Sequence, residues 1–286
     1  MSNIRSFPFS GYLELTKPRV TSMVMLTAAA GVCLATIGSV DLVLLSHTVI
    51  GTGLLAAGTA VLNQFIERDV DGRMRRTRRR PLPSGRISSS SALWFGLVLV
   101  GIGATQLASF ANLLTALLGL ITSVVYLLFY TPLKTRSSSC TLIGAVPGAA
   151  PPVMGWVAAR GELDIHALIL FGILFGWQFP HSMAIAWIYR EDNKQGGLKM
   201  LPENDQMIGP VIIGFCVFLL SVSLTPVLTG LAGTFYFWGA FVLGLGFFWF
   251  GKALSFEPSV RAARHVVRAS IVYLPLLLSL MILDKT

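Results

Sequence analysis

Charge is scarce in this sequence. Asp, Glu, Lys and Arg make up only 12% of its 286 residues, about half the share of a soluble domain. Cysteine is nearly absent. Cys33, Cys140 and Cys216 are isolated, lie in or beside apolar runs and show no ligand spacing, so neither a disulfide nor a zinc site is expected. No low-complexity linker divides the chain, which reads as one domain over residues 1–286. No short apolar segment with a small-residue cleavage site opens it, and the first apolar run is expected to be retained.

What is present is hydrocarbon. The chain is 54% hydrophobic with a mean hydropathy of +0.71. Apolar stretches near twenty residues, each long enough for about 30 Å of bilayer core, fall at 20–39, 46–66, 92–110, 113–130, 140–158, 166–189, 208–229, 233–251 and 269–284. Lipid offers backbone groups no partner outside their own helix. The fold expected is therefore an all-α polytopic membrane protein with nine transmembrane helices. Spans two and six both end in acidic loops, Glu67–Asp71 and Glu191–Asp192. Four spans separate them, which suggests two four-helix halves plus a ninth helix.

The basic residues orient this bundle. Arg5, Lys17 and Arg19, the Arg68–Arg86 cluster, Lys134 and Arg136, Arg190, Lys194 and Lys199, and Lys252 to Arg268 fall on one side; Arg160 and Lys285 fall on the other. The crowded side is read as cytoplasmic. The net charge of +9 thus reflects topology and attraction to anionic headgroups, and nucleic acid is not expected as a partner. The loop after span two nevertheless carries far more charge than orientation needs.

That loop, NQFIERDVDGRMRRTRRRPLPSGR (63–86), is where chemistry concentrates. On a helix Asn63, Glu67 and Asp71 lie at about 0°, 40° and 80°, one polar stripe, with Asp69 well off it. An amide and two carboxylates suit a hard cation such as Mg²⁺, which takes one or two carboxylates plus phosphate oxygens. The neighbouring arginines offer forked donors that match phosphate. Together these describe a magnesium–diphosphate site; a capped helix end would instead set carboxylates against the dipole. The loop after span six adds Glu191, Asp192, Lys194 and Lys199, and a second carboxylate there could complete a clamp over a diphosphate. His181, after Pro180, lies about three turns from Asp192. It reads either as a haem-iron ligand or as a packed residue bonded to a backbone carbonyl freed by the proline. His47, His166 and His265 carry no assignment.

These blocks resemble the UbiA superfamily of intramembrane prenyltransferases, and within it the branch that farnesylates haem. The superfamily pattern is met by Asn63, Glu67, Asp71, Arg76-Thr77 and Arg80-Pro81-Leu82. The haem branch adds an acid matched by Asp69, and is similar at LTKPRV (15–20), YTPLK (130–134), IGAVPGAAPPVMGWVA (143–158) and WQFPH (177–181). The similarity covers spans one to six. Four positions depart from the family's usual residues: Glu67 for Asp, Asn193 for Tyr, Thr135 for a basic residue and Ser182 for an aromatic.

The resemblance implies that farnesyl diphosphate is the donor and a vinyl group of haem B the acceptor, with water addition, in a bacterial plasma membrane. Farnesyl as the prenyl length comes from the resemblance alone. Asn63, Glu67, Asp69, Asp71 and Asp192 would be catalytic, and Asn63, Glu67, Asp71 and Asp192 would hold Mg²⁺. Lys17, Arg76, Arg80, Lys134 and Lys199 would bind the diphosphate, and His181 and Trp177 the haem. Phe65, Tyr126, Phe129, Tyr130, Trp177 and Tyr189 are candidates to stabilise an allylic cation. A haem-modifying enzyme or terminal oxidase could take the product. A relative acting on a quinone precursor or lipid acceptor is the alternative, disfavoured by Asp69, the PGAAPPVMGW block and WQFPH. Spans three and four carry no Asp, Glu, Lys, Arg or His, which a transport pathway would have to explain. A haem redox protein would not need the Asn63–Glu67–Asp71 stripe.

Overall fold

The computed structural model describes residues 8–202 and 204–286; Arg5, counted above for orientation, lies outside them. The helices run α1 (Pro8–Leu15), α2 (Pro18–Ala35), α3 (Leu42–Arg73), α4 (Ser89–Phe110), α5 (Leu113–Val124), a π-helical stretch (Val125–Tyr130) leading into α6 (Thr131–Leu133), α7 (Cys140–Arg160), α8 (Ile165–Ile188), α9 (Arg190–Gln195), α10 (Ile208–Leu228), α11 (Thr234–Phe256) and α12 (Val260–Leu283). Among the described residues nine helical spans are long and apolar enough to cross a membrane, with α5 through α6 counting as one. The chain is an integral membrane protein, and each apolar run read from the sequence falls on one of these spans.

Local signals start the helices where expected. Asp41 accepts from the backbone N–H groups of Val43 and Leu44 at the start of α3. Ser88, Asn112, Asp164 and Ser259 cap α4, α5, α8 and α12 in the same way, each satisfying donors the helix itself leaves unpaired. The boundaries differ most at two places. α3 runs seven residues beyond position 66, and α12 begins nine residues before position 269. Hydropathy marks only the part of a helix that lies in hydrocarbon, whereas its hydrogen bonding continues into the aqueous layer. At 32 residues, α3 is about 48 Å long. That exceeds about 30 Å of bilayer core, and Glu67 and Asp71 fall in the stretch beyond the apolar run.

The first four spans pack in sequence, as do the next four. α7 meets α2, α3 and α5, and α12 returns onto α8 and α2. The largest core lies among α7, α8, α10, α11 and α12, where Tyr236 donates from its hydroxyl to the Ser223 carbonyl at 2.7 Å. The α2–α7 seam is closer still. A Cβ at Gly31 would collide with the Pro152 carbonyl, and one at Gly155 with that of Ala28. Small residues let two membrane helices approach at backbone distance. Much of the GAVPGAAPPVMGW pattern is therefore accounted for by packing.

Candidate active site

α3 keeps its α-helical pitch through Arg73, so Glu67 and Asp71 share a face. They line a polar pocket of about 260 Å³ at the basic end of the bundle, together with Lys17, Arg76, Arg80 and Lys134. Each carboxylate already has a cation. Lys134 Nζ lies 2.7 Å from Glu67 Oε1. Arg80 Nη1 lies 2.7 Å from Asp71 Oδ2, in a side chain only 2% exposed. The Thr77 hydroxyl donates to the Asp71 carbonyl at 2.7 Å, which folds the Arg-Thr run back against the helix end. Arg76 stacks over the Tyr189 ring at 4.6 Å.

Not every residue expected at this site joins it. Asn63 is 0% exposed and sits behind the wall. Its Oδ1 accepts from Lys17 Nζ and its Nδ2 donates to Thr131 Oγ1, both at 3.1 Å, so it braces a lysine instead of facing the pocket. Asp69 falls about 200° round the helix from Glu67. It is 79% exposed beside Arg68. Asp192 also stays off the pocket wall. Its carboxylate accepts from the backbone N–H groups of Arg75 at 2.7 Å and Arg76 at 3.3 Å, pinning the arginine loop to α9. The reason is local: α8 stops at Ile188 and Tyr189 leaves helical geometry, so the chain turns before the acid is reached. Lys199 lines an adjoining cavity with Arg190 and Lys194. Two substitutions noted against the family pattern, Ser182 and Asn193, do line the polar pocket.

Among the described residues no three His, Cys, Asp or Glu side chains converge on a metal position. The donor set that does converge is Glu67 and Asp71, two hard carboxylates on one face beside phosphate-matching cations. That fits Mg²⁺ held jointly by protein and substrate oxygens.

Below the polar pocket lies an apolar cavity of about 240 Å³, bounded by α2, α3, α5 and α7. Lys17 lines both spaces. It occupies the elbow between α1 and α2 with φ 49° and ψ 60°, the one left-handed residue other than glycine among those described. Pro18 disfavours the right-handed alternative, and such a conformation costs on the order of 1–3 kcal/mol. Gln64 Nε2 donates to the Leu15 carbonyl at 2.7 Å and holds the elbow on α3. Burial, with the nearby Arg80 and Lys134 charges, lowers the Lys17 pKa to about 7; Glu67 and Asp71 act in the opposite direction.

The π-helical stretch was not legible in the sequence. Such turns cluster at functional sites, and this one delivers Tyr126 to the apolar cavity and Tyr130 to the polar pocket. Thr131, overlooked in the sequence, ties it down by donating to the Tyr126 carbonyl at 2.8 Å. Its only signal was the Thr-Pro of YTPLK. Of the other aromatic candidates, Tyr189 reaches the polar pocket. Phe129 faces outward at 57% exposure, and Phe65 lies under Arg68. Trp177 and His181 are brought together, stacked with ring centroids 4.6 Å apart on α8. They contact Ser270 of α12.

Comparison with known proteins agrees with this architecture. Residues 24–272 match the UbiA prenyltransferase family. A protoheme IX farnesyltransferase of Solibacter usitatus is 44% identical, the alignment covering 96% of this chain and 98% of the relative. One of Koribacter versatilis is 46% identical, covering 96% and 93%. Among solved structures, a UbiA homolog from Archaeoglobus fulgidus bound to DMAPP and Mg²⁺ superposes with a TM-score of 0.66 at 16% identity, covering 94% of this chain and 98% of that one. On the match through most of its length, the chain belongs to the UbiA prenyltransferase family.

Proposed function

We propose that this protein transfers the farnesyl group of farnesyl diphosphate to a vinyl group of protoheme IX, with addition of water, giving haem O. One observation carries the reading: a polar, cationic pocket adjoins an apolar cavity, and Lys17 lines both. An allylic diphosphate has the same two-part character. Its head suits the cations, and its tail suits the space between α2, α3, α5 and α7. Identity above 40% with relatives named protoheme IX farnesyltransferase, over nearly the full length, supports haem as acceptor.

The pairing of cations with carboxylates gives the site a mechanism for binding. Lys134 and Arg80 pair with Glu67 and Asp71. An arriving diphosphate brings oxygens that compete for these donors, so Lys134, Arg80, Arg76 and Lys17 shift toward phosphate. Glu67 and Asp71 would hold Mg²⁺, which would supply positive charge to the leaving diphosphate. These preorganised donors stabilise charge as it develops on the leaving group. The C1–O bond breaks with its electron pair going to diphosphate. Tyr126, lining the apolar cavity, and Tyr130, lining the polar pocket, offer ring faces to the allylic cation. The vinyl π pair bonds to C1. A water oxygen then bonds the porphyrin-side cation and its proton is lost, leaving a hydroxyethylfarnesyl side chain.

The charge asymmetry of the loops supports a cytoplasmic basic end, and the bacterial relatives support the plasma membrane as the site of action. An enzyme that oxidises or inserts the product haem would act next. The test is incubation of purified protein with haem B, farnesyl diphosphate and Mg²⁺, followed by mass spectrometry of the haem. A farnesylated hydroxyethyl haem is expected; its absence, with prenyl transfer to another aromatic acceptor, would leave the family standing and remove the acceptor.

A further inference from the structure

The hydrogen-bond network around Ser270 fixes the protonation of a neighbouring ring. Ser270 is fully buried on α12. Its hydroxyl lies 2.7 Å from the Val267 carbonyl and 2.6 Å from His181 Nδ1. A serine hydroxyl carries one proton and can accept through its lone pairs. The Val267 oxygen can only accept, so a 2.7 Å approach there requires the serine proton. Ser270 Oγ must then accept from His181, and His181 carries its hydrogen on Nδ1. Nε2 is left with a lone pair, and no hydrogen bond to it forms among the described residues. The ring is also held from its face. Trp177 stacks on it at 4.6 Å and 17°, and Trp177 Nε1 donates to the Ser270 carbonyl at 2.9 Å. One serine thus orients both members of the pair.

The geometry points to Ser270 as a positioning residue that locks His181 in the Nδ1–H tautomer and presents Nε2 to the iron of the haem acceptor. This rests on the reading of haem as the substrate. A metal-binding imidazole characteristically donates its other N–H to a fixed acceptor, which sets its tautomer and raises its basicity. Here that acceptor is Ser270 Oγ.

The experiment titrates detergent-solubilised protein with ferric haem, following the Soret band and the low-spin electron paramagnetic resonance signal. Binding of isotope-labelled farnesyl diphosphate is measured in parallel. His181→Ala is expected to remove the low-spin signature, and added imidazole to restore it. Ser270→Ala is expected to weaken haem binding about 10–100-fold and shift the Soret band, with donor binding unchanged. Ser270→Thr, which keeps the hydroxyl, is expected to retain wild-type spectra. In the His181→Ala background, Ser270→Ala should change nothing further. A wild-type Soret band and affinity in Ser270→Ala would overturn the positioning role. An unchanged spectrum in His181→Ala would overturn iron ligation while leaving haem farnesylation intact, because product formation by the wild type is scored separately.

Discussion

Two acidic segments follow apolar spans at equivalent places, and they do different work. After the second span, Glu67 and Asp71 face the pocket, each held by a cation. After the sixth, Asp192 turns to the backbone and braces the arginine loop. The residue chemistry is the same; the helix beneath it is not. α3 continues unbroken past the bilayer, so a four-residue spacing stays on one face. α8 ends at Ile188, and the chain re-enters helix only as α9. Helical continuity decides which acid meets substrate and which one meets the protein.

The strongest way to break this comparison is Asp71→Asn. The side chain keeps its size, but Arg80 loses its buried partner. The amide also lacks the charge that would hold Mg²⁺ beside the leaving group, so transfer measured as kcat/KM should fall by roughly a hundredfold or more. Excess chelator should abolish the wild-type rate as well. Full activity in either condition would detach the stripe from the chemistry.

Next in size are the arginines. Arg80→Ala and Arg76→Ala should each raise KM for the prenyl donor, by roughly ten- to a hundredfold for loss of a charge-assisted contact of about 1.5–3 kcal/mol, with KM for haem unchanged. Arg80→Ala should have the larger effect, because it also leaves Asp71 unpaired. A rise in the haem KM instead would reassign these groups to the acceptor's carboxylates.

A subtler measurement concerns whether Glu67 and Lys134 act as one unit, as their 2.7 Å contact implies. Glu67→Gln and Lys134→Met, alone and together, form a cycle in donor affinity. The coupling expected for contacting groups is about 0.5–3 kcal/mol. Strict additivity would mean that the pair is not exchanged on binding.

The nine spans and the Glu67–Asp71 stripe were legible because hydropathy and helical periodicity are local properties of the chain. Asp69 was already off the stripe by its angle. Its exposure follows from the same periodicity that exposed the others to the pocket. What could not be read depends on partners distant in sequence. From sequence, the Asn63 amide on the stripe reads as a ligand. Its engagement by Lys17, 46 residues away, is invisible to any local pattern. The π turn at Val125–Tyr130 leaves no hydrophobic signature, because shifting the bonding pattern by one residue keeps every side chain apolar. Ser270 lay in a span read only as hydrophobic, and its contact with His181 spans 89 residues.

The smallest expected effect falls on the other side of the comparison, at Asp192→Asn. The carboxylate accepts from the backbone N–H groups of Arg75 and Arg76 at an exposed position. An asparagine retains one oxygen that can accept, so part of the bracing survives. The loss should be about 1 kcal/mol, the net worth of an ordinary hydrogen bond, or roughly a fivefold change. It should appear as a higher donor KM, because Arg76 and Arg80 sit on the loop being braced, with kcat nearly intact. Limited proteolysis within residues 74–86 should quicken in step. If Asp192→Asn instead matched Asp71→Asn in abolishing turnover, and the loop remained protected, Asp192 would be reaching the substrate in the loaded enzyme. The two acidic segments would then be a pair of ligands after all, brought together only when the diphosphate is bound.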